Sequence, residues 1–159
     1  MNKILHILII VFQFALTFIA TVCIYMISAI LDSNFGIDGL FGLIIIQPIL
    51  AVIFSILTII ACTIVGLPIR LIKSVNKWWR DHWYISIMGI IVGSILFLLA
   101  FSPSLQEVIT VQLDGEDTLK EIPNLTLICV GWFTTAFNLL HIYPPNSILL
   151  KIKYYLHQL

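Results

Sequence analysis

Long apolar runs separated by short polar intervals set the organisation of this chain. Four runs are long enough to cross a bilayer as helices, which takes about 20 mostly apolar residues. They cover residues 4–31, 40–68, 84–101 and 125–143. None of the four contains an Asp, Glu, Lys or Arg until its boundary is reached. Lipid offers backbone N–H and C=O groups no partner, so a spanning segment must be a helix or part of a closed barrel. Barrel strands alternate in polarity, and Leu43-Ile44-Ile45-Ile46 does not. The pattern predicts an all-α integral membrane protein, a bundle of four transmembrane helices in a single membrane domain over 1–159. The first run is longer than the 7–15 residues of a signal-peptide core and reads as a retained anchor. The second exceeds what a bilayer needs and contains Pro48, so tilt or a kink is expected there.

Within the runs, polar and small residues recur at helical spacing. Gln13, Thr17, Thr21 and Tyr25 fall on one side of the first helix, and Gln47, Ala51, Ser55, Thr58 and Cys62 on one side of the second. Ser86, Gly89 and Gly93 do so in the third, where Gly89 and Gly93 form a GxxxG, and Gly131, Thr134, Asn138 and His141 in the fourth. Small residues let helices approach closely and polar ones hydrogen-bond across them. Gln13, Thr17, Tyr25, Gln47, Ser55, Asn138 and His141 are therefore expected inside the bundle. They act there as interhelical contacts or, in the alternative reading, as the lining of a polar cavity. By depth, Gln13 pairs with Asn138, and Gln47 lies near the level of Tyr25. The GxxxG serves either an internal helix contact or a homodimer.

The intervals carry their own patterns. In the loop 69–83, Arg70, Lys73, Lys77 and Arg80 are spaced three, four and three residues apart. On a helix they share a sector of roughly 80°. Trp78, Trp79 and Trp83 point broadly the other way, as in a helix lying at the membrane interface with its rings at headgroup depth. This helix reads as an orientation anchor, with a lipid-sensing or partner-docking segment as the alternative, and anionic headgroups are its expected partners. In the loop 102–124, Glu107 to Leu113 alternates in polarity and is followed by Asp114-Gly115. That predicts a small external β-hairpin returning over Thr118 to Ile122. The acidic tip reads as a solvated turn. Asn124-Leu125-Thr126 matches a glycosylation sequon but abuts the membrane.

Composition narrows the function classes. Sixty per cent of the 159 residues are hydrophobic, 10% are charged, and the mean hydropathy is +1.10. Soluble domains carry about 25% charged residues. These figures exclude a soluble enzyme and a disordered tail, and zero net charge excludes a nucleic-acid binder. Lys3, Arg70, Lys73, Lys77, Arg80, Lys151 and Lys153 fall on one side of the predicted topology, and only Lys120 on the other. Acids divide oppositely, with only Asp81 on the cationic side. The positive-inside rule then places both termini in the cytoplasm, and the isoleucine-rich single bundle suits a bacterial inner membrane.

Catalytic signatures are missing. There is no CxxC, HExxH, GxSxG or P-loop, and His6, His82, His141 and His157 have no carboxylate at ligand spacing. Neither a cofactor nor a metal is expected. The absence of fixed charge in the spans disfavours proton-coupled transport. The sequence therefore points to a small non-catalytic polytopic protein that acts through a membrane or envelope partner, or as a homo-oligomer. An accessory subunit or an immunity protein would have this form. The alternative is a channel or carrier for a neutral or weakly polar solute. A lipid-acting enzyme using His82 or His141 is a distant third.

Overall fold

The computed structural model describes residues 3–32, 41–113 and 116–144. The hairpin tip 114–115, Asp38, His157 and the tail cations Lys151 and Lys153 lie outside them. So do the side chains of Lys3, His6, Glu116, Asp117 and Lys120. The described residues are mostly helical, with one small two-stranded sheet.

Helix α1 spans Lys3–Asp32, and α2 spans Gln47–Val65 behind a π-helical turn, Gly42–Ile46. Two short helices follow, α3 (Leu67–Leu71) and α4 (Lys73–Asp81), then α5 (Tyr84–Leu99) and α6 (Leu125–Leu140). Two segments, Ile7–Leu31 and Gly42–Val65, are long and apolar enough to cross a membrane. A third crossing counts only if α4 and α5, bent by 74° at their junction, are taken as one broken span. The apolar helix α6 has 16 residues, about 24 Å at 1.5 Å per residue.

Local chemistry explains the departures from the expected elements. The predicted kink at Pro48 takes the form of the π-helical turn just before it. A proline ring clashes with the carbonyl four residues earlier, and the wider π turn makes room for it. The helix then runs on to Val65 and closes at Gly66, whose N–H donates to Cys62 O at 2.9 Å.

The single interfacial helix expected over the cationic loop is in fact two pieces. Ile72 adopts an extended backbone (φ −88°, ψ 113°) between α3 and α4. Asn76 Nδ2 donates to the Ile69 carbonyl at 2.9 Å across the break, supplying a partner that a continuous helix would have supplied from the backbone.

At the opposite end, β1 (Glu107–Leu113) pairs antiparallel with β2 (Glu116–Ile122), from Glu107↔Ile122 to Leu113↔Glu116. The return strand starts two residues before the expected Thr118. The Asn124 side chain caps α6 by accepting from Leu127 N at 3.0 Å, and Asn124 N donates to Ala100 O, tying α6 to the end of α5. N-cap chemistry thus accounts for the asparagine of the sequon.

Helix α6 is the hub. It packs on α1, α2 and α5, while α1 and α2 also pack on each other. Where α5 meets α6 the backbones nearly touch. A Cβ added to Gly93 would lie 2.8 Å from Thr135 N and 2.9 Å from Gly131 O. One added to Gly131 would lie 2.6 Å from Phe97 N and 2.7 Å from Gly93 O. Gly89 is closed over by the Asn138 side chain. The GxxxG therefore serves a contact within the chain, and its partner is a glycine on α6.

Candidate functional site

The densest polar arrangement surrounds the carboxy-terminal end of α6. The last carbonyls of any helix lack partners within the helix, and in an apolar setting an unpaired carbonyl costs several kcal/mol. Here three consecutive carbonyls are each met by a side chain from a different element. Arg70 Nη2, on α3, donates to Leu140 O at 3.1 Å. Trp79 Nε1, on α4, donates to His141 O at 2.8 Å and also lies 3.1 Å from Ser86 Oγ. Gln13 Nε2, on α1, donates to Ile142 O. Gln13 and His141 are buried, and Arg70 and Trp79 are half-buried. The Arg70 guanidinium also complements the negative end of the helix dipole and lies 5.4 Å from the centroid of the Phe14 ring.

His141 completes this clasp from within. Its Nδ1 lies 2.8 Å from Phe137 O, and because a carbonyl only accepts, Nδ1 carries the proton. Its Nε2 edge packs on Gly66 and makes no hydrogen bond. Arg70 Nε and Gln13 Oε1 are likewise buried without a hydrogen bond.

Several expectations for these residues need correction. Arg70 does not share an outward cationic face with Lys73, Lys77 and Arg80, because the break at Ile72 lets it turn inward onto α6. The Trp79 indole N–H, expected to point away with Trp78 and Trp83, is engaged by the end of α6. Trp78 remains exposed and stacks on His82 at 4.7 Å, and Trp83 is half-buried. Lys73 and Lys77 are exposed, while Arg80 lies 6.0 Å from the Tyr143 ring centroid. Gln13 bonds the Ile142 carbonyl rather than Asn138. Asn138 instead returns its amide to Thr134 O at 2.8 Å. Thr135, rather than Thr134, is the buried threonine of that turn.

A second cluster lies nearer the hairpin. Tyr25 Oη donates to Gln47 Oε1 at 2.8 Å, joining the two residues that depth had placed at one level. Trp132 Nε1 donates to Thr58 Oγ1 at 2.9 Å, and its ring meets Tyr25 edge-on at 5.9 Å. Between the clusters, Thr17 and Thr21 return their hydroxyls to Gln13 O and Thr17 O on their own helix, at 2.7 and 2.9 Å. Ser55 Oγ and Thr135 Oγ1 are buried without a hydrogen bond. Sequence reasoning did not anticipate Trp132 or the inward turn of Arg70. A tryptophan at mid-span, with an N–H that needs a partner, was the available signal.

An open groove of about 520 Å³ runs between α1 and α2, lined by Ile10, Val11, Phe14, Ala15, Phe18, Ile56, Ile59 and Ile60. None of the polar residues expected to line a cavity borders it. Among the described residues, no three or more His, Cys, Asp or Glu side chains gather closely enough to hold a metal ion. Cys62 is buried, while Cys23 and Cys129 are exposed. No protein-family model matches the chain, and neither a curated protein nor a solved structure matches it.

Proposed function

We propose that this is a four-crossing inner-membrane protein of bacterial type, with both termini in the cytoplasm, which does no chemistry itself and acts through a membrane or envelope partner. The observation that carries the membrane reading is an inverted distribution of polarity. Val11, Phe12, Ile19, Ile44, Ile64, Met88 and Leu98 are exposed, while Gln13, Thr17, Thr21, Ser55, Ser86 and His141 are buried. In water so large an apolar surface would aggregate; in lipid it is the ordinary outer face of a bundle. On this reading α4 lies along the cytoplasmic interface, bent 74° from α5, with Lys73, Lys77 and Trp78 toward anionic headgroups. The hairpin then stands on the outer side.

A non-catalytic role is favoured over the carrier alternative by how the polar stripe is used. Thr17, Thr21, Asn138 and His141 return their donors to carbonyls of their own helices, and Gln13 and Tyr25 spend theirs on neighbouring segments, so these donors are already engaged within the protein rather than held open for a solute. Topology is tested by replacing Cys23, Cys62 and Cys129 with alanine and introducing Gly115→Cys. A membrane-impermeant maleimide should label position 115 from outside intact cells; labelling only after the inner membrane is opened would invert the topology. The partner role is tested by affinity isolation in mild detergent, which should recover a second envelope protein in fixed ratio. Recovery of the bare chain alone, with solute flux in proteoliposomes, would favour the carrier.

A further inference from the structure

We infer that the open edge of β1 is a docking site for an extended cationic segment of a protein partner, which adds to the hairpin as a third strand. The inference rests on the partner reading above and names where that partner binds. Strands β1 and β2 form a two-stranded sheet, and no third strand joins it among the described residues. Each strand therefore keeps one row of backbone N–H and C=O groups that the other strand does not pair. A lone two-stranded hairpin is marginal in water, and a third strand brings the sheet to the size that holds by itself. The side chains leave both faces open. Val108, Thr110, Leu119 and Glu121 share one face by register, Ile109 lies on the other, and all five are exposed.

The two edges differ. Strand β2 carries charge at Glu116, Asp117, Lys120 and Glu121, and charges along an edge are a common guard against strand addition. Strand β1 carries only Glu107, at its start, followed by four β-branched residues from Val108 to Val111, with no proline or glycine. That composition favours pairing with a further strand. Charge then selects the occupant. Residues 107–122 contain the acids Glu107, Asp114, Glu116, Asp117 and Glu121 against Lys120 alone. A second copy of the chain would bring the same acid excess against this one, and an anionic lipid surface would repel it likewise. A cationic strand is attracted instead, and its main chain gains hydrogen bonds along β1. Apolar residues at alternate positions of that strand would lie beside Val108 and Thr110.

The test uses the full chain in phosphatidylcholine nanodiscs and a fluorescent seven-residue peptide that alternates lysine and valine, with empty nanodiscs as the blank. This peptide should bind at least about tenfold more tightly than its glutamate–valine counterpart. N-methylation of every internal amide keeps the charge and the side chains but removes the backbone donors, and should weaken binding by about tenfold or more. On binding, amide hydrogen exchange should slow more over 107–113 than over 116–122. Thr110→Lys, at an exposed position, guards the edge and should weaken binding severalfold. Equal binding of the N-methylated peptide would show attraction by charge alone and overturns the docking edge, as does protection confined to β2. Failure of the cationic peptide to bind overturns it outright. Dimerisation of the wild-type chain that Thr110→Lys abolishes would give the edge to a second copy. Labelling of position 115 from the cytoplasmic side alone would overturn the outer placement of the hairpin while strand addition in nanodiscs stood, so the two failures are read apart.

Discussion

The two helix pairings in this molecule are built on opposite principles. Helices α5 and α6 meet glycine to glycine, so close that neither Gly93 nor Gly131 has room for a Cβ. Helices α1 and α2 meet through isoleucine and phenylalanine side chains, and the bulk that holds them apart leaves an open groove between them. Without a hydrophobic drive between helices in lipid, close packing is what holds a pair together. The first contact is therefore intolerant of any added atom. The second gets its definition from the Tyr25–Gln47 bond at one end and from the hold that each helix has on the α6 segment, through Gln13 to the Ile142 carbonyl and through Thr58 to Trp132.

The contrast is broken most directly at Gly93. Gly93→Leu should force α5 off α6 and cost about 3 kcal/mol or more, at or above the upper range for overpacking. Thermal unfolding in detergent would report it as a large fall in melting temperature. Gly42→Ala, where nothing lies within 4 Å of the added atom, is the matched control and should change little. A tolerated Gly93→Leu would mean that the α5–α6 contact is not the tight one.

Next in size is the clasp. Gln13→Leu leaves the Ile142 carbonyl without its donor and should cost about 1–3 kcal/mol. Trp79→Phe, which keeps the ring but removes the N–H, should cost a similar amount through the His141 carbonyl. If the two losses add in the double variant, the donors act independently; a smaller sum shows that the clasp opens as a unit.

The smallest effect is expected at Tyr25→Phe. The Tyr25–Gln47 bond should contribute about 0.6 kcal/mol, the average for such bonds in membranes. A loss beyond about 1.7 kcal/mol, the upper end of that range, would make the hairpin-side tie as important as the clasp.

Much of this was legible in the sequence because the signals are periodic. The polar stripe on α1 appears as Gln13, Thr17 and Thr21, each buried. The strand pairing follows from the alternation at Glu107 to Leu113. The site was harder to read because its acceptors are backbone carbonyls, which every residue has and no residue type announces. Arg70 fits the spacing of a cationic face perfectly well, yet a single extended residue at Ile72 removes it from that face. The same spacing argument grouped Trp79 with Trp78 and Trp83, whereas the partner of its indole N–H is a helix end some 60 residues downstream with three carbonyls to satisfy.

The clasp also has a consequence for the order of assembly. Gln13, Arg70 and Trp79 are all made before the carbonyls of 140–142 that they hold. Until that late segment arrives, three side-chain donors from three earlier elements have no native acceptor. The hub helix, too, is the last of the described helices to be made. The earlier helices are therefore made without their common packing partner, and their arrangement around α6 is complete only once α6 and residues 141–142 have been made. A chain arrested before α6 would keep the Tyr25–Gln47 bond between α1 and α2 and lack every bond of the clasp.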